Sequence, residues 1–160
     1  MTRRRLSPIE LAIGVSLLGS LAAVAIPAFA REIHASRFVE PTAGLAQIGE
    51  ASIAFAVENG RFPDSAPLTP AEPPRGKKEA DPPGTWDHPT WQALGFRPAA
   101  EGAPHAYSFA YESNGTVFVA KARGDLDGDG ILSLFEIRGF IRPGEKPMLE
   151  PGMHVESELE

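Results

Sequence analysis

The residues with the clearest capacity for chemistry lie between Asp125 and Glu136, near the C-terminal end of the chain. Oxygen donors recur at alternate positions and a glutamate follows at the twelfth; the candidate ligands are Asp125, Asp127, Asp129, the main-chain carbonyl of Ile131, Ser133 and Glu136. Gly130 permits a sharp turn at the sixth position, so that the carboxylates can converge. A hard cation takes about six to eight such oxygens, at about 2.3–2.6 Å. The segment therefore predicts a structural Ca²⁺ site.

Strand-like sequence, rather than a pair of helices, lies on both sides of this segment. Residues 116–121 are β-branched and aromatic, and residues 135–141 look like a strand that follows the loop. A calcium loop inside a sheet favours an ion that ties the last strand to the preceding hairpin, instead of a sensor with helices to open. The alternative is an acidic turn, closed by Gly128 and Gly130, that binds no ion. Repulsion among four carboxylates in one loop favours the calcium interpretation, because a cation removes that repulsion.

The sequence shows no second constellation of chemistry-bearing residues. The histidines His34, His88, His105 and His154 are scattered without ligand spacing, and the local pair Asp87-His88 has no nucleophile beside it. A glycine-rich phosphate loop is also missing from the sequence. We therefore predict that the protein has no catalytic residues and is not an enzyme.

A hairpin and a helix must position the predicted site. Residues 106–111 alternate aromatic and small side chains, as a half-buried strand does, and Asn114-Gly115 is a strong hairpin signal. Upstream, apolar residues recur at helical spacing; this stripe comprises Leu45, Ile48, Ala51 and Phe55. Gly60 ends the helix and Pro63 prevents its continuation. The predicted fold class is α+β, with a long N-terminal helix packed on a small antiparallel β-sheet.

Two further segments are predicted to lack regular structure. Residues 63–90, the Pro-rich segment, contain eight prolines, which neither continue a helix nor donate to a strand ladder. Aromatic residues such as Trp86 and Phe96 are expected to attach its ends to the core, with one helical turn near residues 91–96. The tail from Arg142 onwards contains three prolines and many acids, which predicts a flexible segment.

The N-terminal part contains an apolar run of membrane length. Residues 11–30 carry no charge, and at about 1.5 Å per residue they match the roughly 30 Å hydrocarbon core of a bilayer. Three arginines at positions 3–5 precede the run, so we expect the N-terminus inside and the remaining chain outside the inner membrane. Pro27 and Pro41 are expected to interrupt the helix. Glu10 at the edge of the run is costly there and is therefore a functional candidate.

Composition limits the partners and the size of the protein. A chain of 160 residues allows one domain beside the membrane segment. The formal net charge is −6 and residues 1–30 contribute +2, so residues 31–160 carry −8. An acidic exported part argues against nucleic acid as a partner. The chain has no cysteine, so its exported domain must fold without disulfides.

Three segments of the chain share a pattern with one family. The N-terminal run has Ile9-Glu10-Leu11, an apolar stretch, and Leu21-Ala22-Ala23-Val24-Ala25-Ile26-Pro27-Ala28-Phe29. It resembles the N-termini of type IV pilins and type II secretion pseudopilins, whose pattern is G-F-T-L-I-E-L, an apolar stretch and L-A-A-I-A-I-P-A-aromatic. The helix end at Asn59-Gly60-Arg61-Phe62-Pro63 and the acidic segment 124–136 are also similar to segments of pilin-like proteins.

The resemblance implies a structural subunit, a minor pilin or a pseudopilin, of a type IV pilus or a type II secretion system. Prepilin peptidase would cut between Arg5 and Leu6, the new amine would be methylated, and Glu10 would pair with the amine of a neighbouring homologous subunit. The protein would cross the inner membrane once, with a cytoplasmic N-terminus and a periplasmic globular domain. At the cut the chain departs from the pattern, since Arg5, Leu6 and Pro8 replace glycine, phenylalanine and leucine. Without the cut, no free amine lies near Glu10.

The predicted organisation has four parts: a basic leader at 1–5, a transmembrane and assembly helix at 6–30, a periplasmic globular domain at 31–141 and an acidic flexible tail at 142–160. Two other interpretations of the N-terminus remain open. The basic residues, the apolar run and Ala28-Phe29-Ala30 also fit a secretory signal peptide, and the run alone fits a plain membrane anchor. In either case the chain would be an exported or membrane-anchored periplasmic calcium-binding protein.

Overall fold

The computed structural model describes residues 7–157, apart from the side chains of residue 11 and residues 28–37. The chain divides into two units, residues 1–37 and residues 38–160. The described residues form helices α1 (Pro8–Asn59) and α2 (Pro89–Ala93) and strands β1 (Ala66–Thr69), β2 (Tyr107–Ser113), β3 (Val117–Gly124), β4 (Ser133–Phe140), β5 (Met148–Leu149) and β6 (His154–Glu156). The fold class is α+β, as predicted.

Helix α1 begins at Pro8, where the missing N–H of proline falls in the first turn and removes no helical hydrogen bond. The backbone remains helical from there to Asn59, so the helix does not end at Pro27 or at Pro41. The side chain of Pro41 is fully buried. Packing around it offsets the roughly 3 kcal/mol that a proline inside a helix costs.

In the first unit, the segment Pro8–Pro27 is long and apolar enough to cross a membrane, judged by length and composition. None of it is buried. The large apolar residues with more than half of their surface exposed are Ile9, Ile13, Val15, Leu17, Leu18, Leu21, Val24 and Ile26. This apolar surface is compatible with a membrane span by length and composition.

In the second unit, residues 38–59 of α1 pack on the sheet through the predicted stripe. Leu45 and Ile48 are fully buried, and the other two members of the stripe are half-buried. Gly44 lies against the ring of Phe109, since a Cβ at this glycine would come within 2.6 Å of the ring. The absence of a side chain therefore permits the close approach of helix and sheet. The helix ends as predicted, with Gly60 in the left-handed region at φ 70°.

The sheet is antiparallel throughout, with the order β1-β2-β3-β4 and with both β5 and β6 paired to the outer edge of β4. Strands β2 and β3 form the predicted hairpin. In its turn, Asn114 Oδ1 accepts hydrogen bonds from the main-chain N–H groups of Thr116 and Val117, at 3.0 and 2.8 Å. Strands β3 and β4 pair along their whole lengths and end together at Gly124 and Ser133, where the acidic loop begins.

The Pro-rich segment is more regular than predicted. Its residues Ala66–Thr69 form β1, which pairs with β2 at the edge of the sheet. An edge strand needs its N–H groups on one side only, so it tolerates Pro67. The short helix α2 lies close to the predicted helical turn. Trp86, Trp91 and Phe96 are buried, which confirms the predicted attachment of this segment to the core.

The tail after Arg142 also departs from the prediction of a flexible segment. Strand β6 pairs with Leu134–Glu136 of β4, and β5 pairs with the last two residues of the same strand. Between them, the Glu150 N–H donates to the carbonyl of Arg138 at 2.8 Å. The tail forms strands because it pairs with the open edge of β4, and the composition of the tail alone does not indicate this pairing.

Candidate metal centre

The acidic loop, residues 125–132, connects the paired ends of β3 and β4. At its base, Gly124 pairs with Ser133, whose hydroxyl donates to the Gly124 carbonyl at 3.1 Å. Gly128 and Gly130 have φ values of 85° and 93°, a region that glycine enters without strain. The loop is therefore a tight turn fixed at both ends by the sheet.

Three aspartates converge in this loop. Asp125, Asp127 and Asp129 each offer one carboxylate oxygen, and these oxygens lie within 4.8 Å of one another. In each carboxylate one oxygen accepts a hydrogen bond from the main chain of the loop, at 2.8, 3.1 and 2.7 Å respectively. These bonds define the turn and use only one oxygen of each carboxylate. The loop thus concentrates negative charge at a point that a small cation can reach.

Asp125 differs from the other two aspartates in its burial. It is 1% exposed, whereas Asp127 and Asp129 are exposed. Its Oδ2 atom is buried and accepts no hydrogen bond in the described part of the chain. A buried carboxylate oxygen without a hydrogen-bond partner is costly unless a cation compensates for it. The donor set and this oxygen together fit a hard divalent cation.

The other three predicted ligands lie at different positions relative to the aspartates. Ile131 lies within the acidic loop and Ser133 is the first residue of β4. Glu136 does not belong to the aspartate cluster. Its backbone lies opposite that of Lys121 in the β3–β4 ladder, and its carboxylate accepts a hydrogen bond from Arg138 at 3.0 Å. A strand rises about 3.3 Å per residue, so Glu136 lies about 10 Å along β4 from Ser133; a helix at about 1.5 Å per residue would keep the two within about 5 Å.

No match is found when the chain is compared with protein-family models, with curated proteins and with solved structures. The resemblance of the N-terminal run to pilins therefore stays a prediction.

The Pro-rich segment contributes two residues, Arg75 and Gly76, to the surroundings of the site, and neither is predicted from the sequence. Arg75 and Asp125 form a parallel bridge, in which the Gly76 N–H donates to the Asp125 carbonyl at 2.8 Å. Gly76 lies so close to the acidic loop that a Cβ would be 3.4 Å from the carbonyl oxygen of Asp127. The two segments are far apart in the sequence, and no local pattern indicates that they meet.

Glu10 has a local partner in the structure. The Ser7 N–H donates to Glu10 Oε2 at 2.8 Å, and the Glu10 N–H donates to Ser7 Oγ at 3.2 Å. This reciprocal pair is a capping box, which satisfies two free donors at the start of α1. Serine followed three residues later by glutamate is a local pattern that indicates such a box, although the sequence predictions for Glu10 do not include it. The predicted cut between Arg5 and Leu6 lies outside the described residues.

A second polar cluster joins the Pro-rich segment to the start of β2. His105 is 2% exposed, with Nε2 2.6 Å from Asp81 Oδ2 and Nδ1 2.9 Å from the carbonyl oxygen of Tyr107. Asp81 Oδ2 also accepts a hydrogen bond from Trp86 Nε1 at 2.6 Å. Main-chain hydrogen bonds connect Glu79 and His105 in both directions. The cluster holds two distant segments together, a role that the scattered histidines do not suggest in the sequence.

Proposed function

We propose that this chain is a pilin-like structural subunit, a minor pilin or a pseudopilin, that assembles with homologous subunits through its N-terminal helix. The observation that most supports this proposal is that α1 has two different parts. Its segment Pro8–Pro27 is an exposed apolar span of membrane length, and its residues 38–59 pack on a small antiparallel sheet. Such a span needs lipid or neighbouring apolar helices around it. In the proposed subunit the span would be surrounded by lipid before assembly and by the apolar helices of neighbouring subunits after it.

The proposed protein crosses the inner membrane once, with its N-terminus in the cytoplasm and its sheet in the periplasm or in an extracellular filament. The three arginines at positions 3–5 support this orientation, because basic residues favour the cytoplasmic side. Prepilin peptidase would process the chain between Arg5 and Leu6, and methylation of the new amine would follow.

Glu10 would have two roles in this proposal. Within its own chain it completes the capping box with Ser7, a bond that uses Oε2. In the assembled form its charge would pair with the N-terminal amine of a neighbouring subunit, because an ionised group among apolar helices needs an opposite charge. The neutral glutamine keeps an oxygen for the cap but loses the charge, so the two roles are separable.

The test compares Glu10→Gln with Ser7→Ala in cells that assemble the filament. We expect Glu10→Gln to remain in the membrane fraction and to disappear from sheared filaments or from the cross-linked pseudopilus, while Ser7→Ala still assembles. If both variants assemble equally well, Glu10 acts only as a helix cap, and the assembly mechanism is contradicted.

Intact-mass measurement of the native protein tests the processing step. A chain that starts at Leu6 and carries one additional methyl group is the expected result. A mass that starts at Met1 would contradict the cut-and-assemble mechanism. A mass that starts at Arg31 would establish the secretory signal peptide instead.

We further propose that the acidic loop binds a structural Ca²⁺ ion. Asp125, Asp127 and Asp129 would hold it, with oxygens from Ile131 and Ser133 at the side of β4. The ion would neutralise the three carboxylates and coordinate Asp125 Oδ2, which accepts no hydrogen bond in the described part of the chain. It would also fix the connection between β3 and β4, in a domain that has no disulfides.

Calcium titration of the purified full-length chain in detergent tests this site. Asp127→Asn removes one ligand charge and should weaken binding by about tenfold or more. Glu58→Gln, an exposed change of the same charge on α1, is the matched control and should leave the affinity unchanged. Glu136→Gln should also have little effect, because Glu136 bonds to Arg138. A loss of binding in Glu136→Gln would show that the loop closes around the ion as a complete 12-residue calcium loop.

Thermal melting gives a second measurement of the same site. At about 100 times its dissociation constant, a ligand that binds only the folded state adds roughly 2.7 kcal/mol to stability. We expect a higher melting temperature with Ca²⁺ than with a chelator, and equal temperatures would contradict the proposal.

A second candidate function is an exported or membrane-anchored periplasmic calcium-binding protein. The buried oxygen of Asp125 supports it, since that observation does not depend on the N-terminal helix. Cell fractionation distinguishes a pilin-like subunit, which stays with membranes or sheared filaments, from a protein released after a signal peptide, which is found in the soluble periplasmic fraction. A membrane-anchored protein would stay with membranes but be absent from sheared filaments and from the cross-linked pseudopilus.

A further inference from the structure

The Pro-rich segment places a positive charge beside the buried carboxylate of the acidic loop. Arg75 Nε lies 4.0 Å from Asp125 Oδ2, beyond the distance of a hydrogen bond. The side chain of Arg75 is 68% exposed, whereas that of Asp125 is completely buried. The guanidinium therefore faces water and partly neutralises a carboxylate that cannot reach water itself.

The backbone at this contact is held independently of the arginine side chain. The Gly76 N–H donates to the Asp125 carbonyl, and a Cβ on either Gly76 or Gly128 would lie 3.5 Å from the Cα of the other glycine. Further along, Lys78 Nζ lies 3.1 Å from Glu40 Oε2, and Glu79 bonds to His105 through the main chain. Substitution of the Arg75 side chain should therefore leave the segment in place.

We propose that the Arg75 guanidinium competes with a bound divalent cation for Asp125 and so lowers the cation affinity of the acidic loop. The inference rests on the proposed calcium site. A cation that shares Asp125 Oδ2 would lie within several ångströms of the guanidinium, and two positive charges at that distance repel each other. The exposed guanidinium turns towards water when the cation binds, and it returns to Asp125 when the cation leaves.

Calcium titration of full-length Arg75→Gln in detergent tests the competition, with Lys77→Gln as the matched control. Lys77 belongs to the same segment and is also exposed, but its partner is Glu79 at 2.8 Å. Both variants remove one positive charge, so only the local contact differs. We expect Arg75→Gln to bind Ca²⁺ on the order of tenfold more tightly than the wild type, and Lys77→Gln to differ by at most about twofold, since exposed charges are screened. Arg75→Lys keeps the charge and should retain an affinity close to that of the wild type.

Thermal melting separates competition from a simple structural role. In chelator, Arg75→Gln should melt below the wild type because Asp125 loses its partial neutralisation, and calcium should then raise its melting temperature by more than it raises that of the wild type. An arginine with only a structural role would lower the melting temperature in both conditions without changing the calcium-induced rise.

The outcomes are distinguishable. Binding by the wild type with an equal or weaker affinity in Arg75→Gln would overturn the competition and leave the calcium site intact. The absence of calcium binding in both the wild type and Arg75→Gln would overturn the calcium site, and the competition with it.

Discussion

Tyr111 shows how strongly the core of the second unit excludes water. Its ring is fully buried and stacks on Phe118 with 5.1 Å between the ring centroids. Burial disfavours the charged phenolate and raises the pKa of Tyr111 from 10.0 to about 12, while the hydroxyl of Ser52 acts in the opposite direction to a smaller extent. The phenol therefore stays neutral in the folded protein at pH values where it ionises in the unfolded chain.

This difference predicts a loss of stability in alkali. Between pH 10 and pH 12 the unfolded state releases the Tyr111 proton and the folded state keeps it, so the free energy of unfolding should fall as the pH rises through this range. Denaturant unfolding at several pH values measures the slope. Tyr111→Phe removes the group and should show a shallower slope. The same slope in both proteins would contradict the assignment to Tyr111.

At the scale of elements, the Pro-rich segment is held by a few polar contacts rather than by repeated secondary structure. Asp81 is the centre of one such group, since its Oδ2 atom accepts a hydrogen bond from Trp86 Nε1 and lies 2.6 Å from His105 Nε2. Its side chain is 15% exposed, so water replaces these bonds poorly when the carboxylate is removed.

We expect Asp81→Ala to destabilise the second unit by about 1–3 kcal/mol, because the buried Trp86 N–H loses its acceptor and the buried His105 ring loses its polar partner. Glu72→Ala, an exposed change in the same segment, is the control and should alter stability by less than about 0.5 kcal/mol. The midpoints of urea unfolding of the full-length variants give the comparison. Equal midpoints for the two variants would show that the cluster does not hold the segment.

For the whole molecule, the tail determines whether the outer edge of β4 is covered. Strand β4 pairs with β3 on one side and with β5 and β6 on the other. The strands of the tail are short and exposed, so their main contribution is to cover the N–H and C=O groups of β4.

Removal of residues 143–160 should therefore cause self-association. Without β5 and β6 the outer edge of β4 exposes unpaired main-chain groups, which recruit a strand from another molecule. Light scattering of the full-length and truncated chains in the same detergent measures the effect, and a chain that lacks only residues 158–160 is the control. Equal scattering of all three proteins would contradict a protective role for the tail.

The sequence by itself determined the features that depend on neighbouring residues. The stripe from Leu45, the helix end at Gly60 and the hairpin at Asn114-Gly115 follow from helical spacing and turn chemistry, and the structure confirms them. The apolar run before Pro27 is likewise a property of composition and length. The α+β class follows from these local signals, because the helical stripe from Leu45 and the hairpin must bury their apolar faces on each other.

Only the tertiary structure decided the features that depend on distant partners. Pro67 fits in β1 because that strand lies at an edge, and the polar tail forms strands because β4 offers an open one. Continuation of β4 through Glu136 carries that carboxylate away from the aspartates, although its position in the sequence matches the calcium loop. Arg75 reaches Asp125 because a Pro-rich segment without periodicity folds back over the acidic loop. Pairing and proximity of this kind arise from the balance of the whole fold, which no local pattern encodes.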